Sequence, residues 1–183
     1  MRTEYEARIL DITPAAVEQA ILRSGGHRCG DTALLRRHIY PLTAGEPDGQ
    51  RWLQLRSKGS GATLTVQDVN HGGIEGVGEL EIGVDDYEST CQLLAAIGHE
   101  ITFYQERRRT MFVLAGAKIS IDQWPMIPPF LEIEADNADE VYRTAATLGF
   151  TAERVSTGGD VYQQHGIDHT AYPRLAFDET LTL

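Results

Sequence analysis

The chain has 183 residues, enough for one domain of ordinary size, and 42% of them are hydrophobic, enough for a packed core. Its net charge of −11 argues against nucleic acid or an anionic membrane as the main partner, and no apolar run approaches the roughly 18 residues of a membrane span. The opening MRTEYEARIL places two acids before any apolar stretch, unlike a secretory signal, and Cys29 and Cys91 fit no metal or redox spacing. The expectation is a cytoplasmic protein with reduced thiols. A monomer and a homodimer are both compatible with this composition.

In chain order, period-two alternation first predicts a strand over 3–10. A helix follows from Thr13, with Pro14 suited to its first position, and stops at Gly25-Gly26. Strands are predicted over 34–40, 51–58, 62–69 and 77–84. The turn signals Gly45-Glu46-Pro47-Asp48-Gly49, Gly59-Ser60-Gly61 and Gly72-Gly73 separate them. A second helix runs from about Asp86 to Ile97 and ends at Gly98. Strands over 101–105, 107–115, 117–122 and 129–135 come next, with a turn at Ala115-Gly116. The third helix starts at Asn137, with Glu140 as capping-box partner, and ends at Gly149. Residues 151–183 read as a flanking segment of one domain spanning 1–183. Many strands and few helices give an α+β class with a large antiparallel sheet or barrel.

Alternation also assigns faces, because residues i and i+2 share one and lie roughly 6.5–7 Å apart. Glu4, Glu6 and Arg8 share a face, as do Glu79 with Glu81 and Glu132 with Glu134. So do Gln54, Arg56 and Lys58; Thr63, Thr65 and Gln67; Lys118, Ser120 and Asp122; and Arg107 with Arg109, which leaves Arg108 pointing away, whereas a register shifted by one makes Arg108 the inward residue. The opposite faces are apolar, among them Leu53 with Leu55 and Leu80 with Ile82. One explanation is the ordinary wet face of an antiparallel sheet. The other is a barrel with helices over the apolar faces and the polar faces turned inward as a tunnel. Crowded carboxylates with no Cys or His partner suit Mg²⁺ or Mn²⁺, and nearby arginines suit phosphate. Each Glu-x-Glu strand also precedes a helix that ends on glycine, a weak internal regularity.

In order and spacing, these residues resemble the CYTH family, the triphosphate tunnel metalloenzymes. The resemblance covers residues 1 to about 150. Glu4-Tyr5-Glu6-Ala7-Arg8 is similar to the family's opening Glu-x-Glu-x-Lys, Trp52-Leu53-Gln54-Leu55-Arg56 falls at its Arg-x-Arg strand, and Thr65-Val66-Gln67 falls where a lysine is usual. Glu79-Leu80-Glu81, the Arg107–Arg109 run with Phe112, Asp122, and Phe130-Leu131-Glu132-Ile133-Glu134 resemble the later motifs. The resemblance implies an eight-stranded antiparallel β-barrel tunnel with flanking helices. It implies a small triphosphate or nucleotide as partner, such as ATP, thiamine triphosphate or inorganic triphosphate, and turnover by a triphosphatase or a class IV-type adenylate cyclase.

On that resemblance Glu4, Glu6, Asp122, Glu132 and Glu134 would hold Mg²⁺ or Mn²⁺. Arg8, Arg56, Lys58, Arg107, Arg109, Gln54 and Gln67 would face the phosphates, and Arg8, Glu79 and Glu81 would serve catalysis. Gln54 and Gln67 are neutral where the family carries cations, so a phosphate-binding domain without catalysis is the alternative. Elsewhere, His38 and Tyr40 share a strand face that either packs or reaches a ligand, and Trp124-Pro125 to Pro128-Pro129 reads as a rigid turn. His165, Asp168 and His169, and the Ser156–Asp160 stretch, read as loops rather than metal or phosphate sites.

Overall fold

The computed structural model describes residues 2–42, 51–58, 61–69 and 77–177, with only the backbone of Arg2, Thr3, Glu4, Lys58, Val69 and Val77. The turn signals over 45–49 and 72–73, together with Gly59 and Ser60, lie outside the described residues.

Strands β1 (Arg2–Ile9), β2 (His27–Arg28), β3 (Ala33–Pro41), β4 (Arg51–Lys58), β5 (Gly61–Val69), β6 (Val77–Val84), β7 (Phe103–Leu114), β8 (Ala117–Gln123), β9 (Phe130–Ala135) and β10 (Arg174–Leu175) form one sheet. Eight of them close a ring in the order β7-β3-β4-β5-β6-β1-β9-β8, with β8 pairing back onto β7, and every pairing in the ring is antiparallel. The short β2 and β10 add to β7 outside the ring. The sequence divides β7 at the polar run around Glu106, but the structure continues it over twelve residues. In a barrel with a polar interior, a polar residue inside a strand is no interruption, because Gln105, Arg107 and Arg109 are the inward set. Ala115 and Gly116, both at positive φ, make the tight β7–β8 turn.

Helices α1 (Pro14–Arg23), α2 (Tyr87–Ala96) and α3 (Ala138–Thr147) start and stop where the capping chemistry puts them. Asp86 accepts from Ser89 N at 2.6 Å, and Asn137 accepts from Glu140 N at 3.0 Å. At the far end of α1 the chain turns through Gly25, at φ 87°, and a Cβ on Gly26 would meet Ile21 Cγ2 at 2.6 Å.

Two cores lie outside the ring. Val17, Ile21, Val141 and Ala145 of α1 and α3 pack on Ala7, Ile9, Ile119, Leu131 and Ile133. Tyr87 and Leu94 of α2 pack on Tyr40, Leu53 and Leu55. On the outer face of β6, Val84 packs against the α2 core while Leu80 and Ile82 are 60% and 56% exposed, so the apolar wall is covered on part of its circumference only. The third core plugs one end of the ring. Trp124 and Phe130 meet Val161 and Tyr162 of a short helix α4 (Val161–Gln164) and Leu175 of β10. Residues 151–177 are therefore tied to the barrel: Arg8 and Ser156 exchange backbone hydrogen bonds at 2.8 Å, and Gln105 donates to Tyr162 Oη at 2.8 Å. Among the described residues no helix is long and apolar enough to cross a membrane.

Candidate functional site

The three Glu-x-Glu strands, far apart in sequence, are neighbours in the ring: β6, β1, β9. Glu6 lies directly opposite Glu134, and Arg8 opposite Glu132. The side chains of Glu4 and Lys58 lie outside what the structure describes. Facing this acidic wall, β3, β4 and β7 carry the inward arginines Arg37, Arg56, Arg107 and Arg109.

Where the walls meet, the charges interlock. Arg109 Nε and Nη2 grip Asp122, the first at 2.7 Å, and Nη2 also reaches Glu132 Oε1 at 2.7 Å. Arg8 donates to Glu132 Oε2 at 3.1 Å and to Glu6 Oε1 at 2.7 Å. Burial works against the charge on Glu132, yet Arg109 and Arg8 hold its carboxyl well below the usual range. Arg109 is likewise held above its ordinary value, against burial, by Asp122 and Glu132. Glu6 behaves oppositely. Burial, with Glu132 adding, pushes its carboxyl up to about 7 while Arg8 pulls the other way. Lys118 pairs with Glu134 at 2.6 Å, Gln67 donates to Glu79, and Thr65 donates to Glu81 at 3.2 Å.

The other inward arginines have no carboxylate within ion-pair distance among the described residues. Arg107 is 5% exposed, and burial, then Arg109 and Arg56, push it well below the usual arginine range. Arg56 is lowered by burial and by Arg109. Arg37 is lowered to about 10 by burial and then by Arg56. Arg37 is not among the residues that the sequence motifs mark for the site. Its signal was the alternation of β3: once Tyr40 packs outward under α2, Arg37 must point in.

That register also settles His38 and Tyr40, which lie on the outer wall. His38 Nδ1 sits 3.1 Å from Cys91 Sγ, and Tyr40 is fully buried. Arg108 points away from the barrel and stacks over Phe177 at 4.2 Å. Asp160 and Asp168 cap short helical turns, His169 pairs with Asp160 at 2.9 Å, and Trp124 belongs to the end plug rather than to a bare turn.

No protein-family model matches the chain, and no curated protein matches it. Solved structures do. The PH1012 protein of Pyrococcus horikoshii OT3 superposes with TM-score 0.70 at 20% identity, over 84% of this chain and 94% of that one. A Vibrio parahaemolyticus protein described as a candidate adenylate cyclase gives TM-score 0.70 at 13% identity, over 89% and 97%. The chain has the CYTH-type triphosphate-tunnel fold. A Hippeastrum protein, described as a candidate adenylyl cyclase with a dominant triphosphatase activity, shares the tunnel fold at TM-score 0.59 and 15% identity, over 91% and 96%. At these identities the likeness is one of fold, and function has to be argued from the site.

The donor set suits a hard divalent cation: Glu6, Asp122, Glu132 and Glu134 offer oxygen only, and Glu6 is raised by burial and by a neighbouring carboxylate. Among the described residues no three acid, imidazole or thiol side chains are gathered as a metal cluster. Arg8 and Arg109 stand between the acids, so gathering them requires those two guanidinium groups to move off Glu132.

Proposed function

We propose that the barrel binds a small triphosphate-bearing molecule, with ATP, thiamine triphosphate and inorganic triphosphate as the candidates, and turns it over with Mg²⁺ or Mn²⁺. The observation that carries this reading is the division of one barrel interior into an acidic wall and an arginine wall whose Arg56 and Arg107 lack carboxylate partners among the described residues. A buried unpaired cation costs several kcal/mol, so its persistence favours an anionic ligand that completes it.

On this reading Arg56 and Arg107 hold phosphate oxygens in a poorly hydrated site, where such contacts are strongest. Glu4, Glu6, Asp122, Glu132 and Glu134 would hold the ion, and Arg8 and Arg109, once off Glu132, would hold phosphate. When bound, the ion would neutralise and polarise phosphate oxygens. Glu79 and Glu81 would orient or deprotonate the attacking group, and Gln54, Gln67 and Lys58 would complete the phosphate side. The test is turnover of ATP, thiamine triphosphate and tripolyphosphate with Mg²⁺ or Mn²⁺. A folded protein that turns over none of them loses the enzymatic reading.

A second reading, a phosphate-ligand sensor without chemistry, is favoured by neutral Gln54 and Gln67, the latter already engaged with Glu79. Calorimetry separates the two: tight binding without turnover supports the sensor.

A further inference from the structure

Polar atoms that are buried and lack protein partners are few in a folded protein, and each asks for a cause. Among the described residues ten such atoms occur, and four of them fall on one inner rung of the barrel. Gln105 of β7 pairs with Arg37 of β3, Arg37 with Arg56 of β4, and Arg56 with Thr63 of β5. All four residues carry such an atom: Gln105 Oε1, Arg37 Nε, Arg56 Nε and Thr63 Oγ1. The rung then reaches Gly83 of β6, next to which a Cβ would find open space.

Arg37 is held in place from the side. Its guanidinium stacks over Trp124 at 5.1 Å and over Phe103 at 5.9 Å, both near the plugged end, and Nη1 donates to Gln54 Oε1 at 3.3 Å. Cross-strand partners lie about 5 Å apart at Cα, so Arg37 and Arg56 put two like charges side by side. Arg107, two residues along β7 from Gln105, adds a third on the same face. Three guanidinium groups share this wall, while Glu6, Asp122, Glu132 and Glu134 pair with Arg8, Arg109 and Lys118.

We infer that Arg37, with Arg56 and the Thr63 hydroxyl, forms a phosphate subsite on the inner wall beside the Trp124–Phe103 stack, and that Arg37 is a ligand-binding residue rather than a packing one. The subsite deepens the tunnel reading by adding a cation to the wall on which Gln54 is neutral, and it rests on that reading only for the placing of the remaining phosphates. Among the described residues Arg37 has no carboxylate partner in the free protein, and the ligand completes it. Packing residues do the reverse, since they stabilise the free protein.

That contrast supplies the test, with Arg37→Met and Arg37→Lys in the full chain. The readouts are melting temperature with and without orthophosphate, and calorimetry with tripolyphosphate. Arg37→Met is expected to melt at or above the wild-type temperature without phosphate and to lose most of the orthophosphate-induced shift. It should bind tripolyphosphate at least about tenfold more weakly, the loss of one charge-assisted contact, while Arg37→Lys recovers part of both. Should Arg37→Met not fold, Arg56→Met is read in the same way. An orthophosphate shift equal in variant and wild type, or absent from both, overturns the subsite. If the wild type turns over tripolyphosphate and Arg37→Met binds it equally well, the subsite falls and the tunnel reading stands. If Arg37→Met loses the orthophosphate shift while the wild type binds no triphosphate, the subsite stands and the tunnel reading falls.

Discussion

Glu132 is the joint between the acidic and basic walls, and Glu132→Gln is the perturbation that reads it. The carboxylate is 13% exposed and accepts from both Arg109 and Arg8. Breaking a buried pair costs about 3–5 kcal/mol. Here Arg109 keeps Asp122 and Arg8 keeps Glu6, which puts the expected loss at the low end, about 3 kcal/mol. For a chain of this length that lowers the melting temperature by roughly 6–12 °C. Acid unfolding should change too. A carboxyl held below its ordinary value contributes stability that is present above pH about 4.5 and is lost as pH falls through the folded-state value. The variant should therefore show a shallower loss of stability below that pH. Urea unfolding at pH 7 and pH 3 measures both effects. A variant within about 0.5 kcal/mol of wild type at pH 7, with the acid slope unchanged, would refute the joint.

Arg56→Met and Arg107→Met should each weaken tripolyphosphate binding by about tenfold or more without lowering thermal stability, since each removes a buried charge that has no carboxylate partner among the described residues; calorimetry and melting curves on the same samples read both. Gln67→Lys should be tolerated because Glu79 faces it, whereas Gln54→Arg sets a second guanidinium against Arg37 and should destabilise by about 1–3 kcal/mol, read by urea titration. Burial, with Arg36 and Arg174 assisting, lowers the His38 imidazole, so its contribution to stability is present above its ordinary value of about 6.5 and is lost as pH falls below it. His38→Gln should flatten the pH dependence of stability between about 7 and 5, and an unchanged slope would mean that His38 stays effectively solvated.

The sequence by itself determined the helices, because their ends are local chemistry: Asp86 and Asn137 bond amides three residues away, and Pro14 and Gly25 set backbone angles. It also determined which residues share a strand face, since that follows from the pleat alone. It could not decide that β6, β1 and β9 lie side by side, because strand order depends on pairings between segments up to about 130 residues apart. Nor could it separate the arginines. Arg109 and Arg107 are two positions apart on one face, yet Asp122, brought opposite Arg109 by the β7–β8 pairing, neutralises one, while the other has no carboxylate partner among the described residues. The direction of Arg37 belongs with these: it follows from Tyr40 packing under α2, a contact between elements that no local pattern encodes. Alternation gives each side chain a face, but closure of the ring decides which face is the inside.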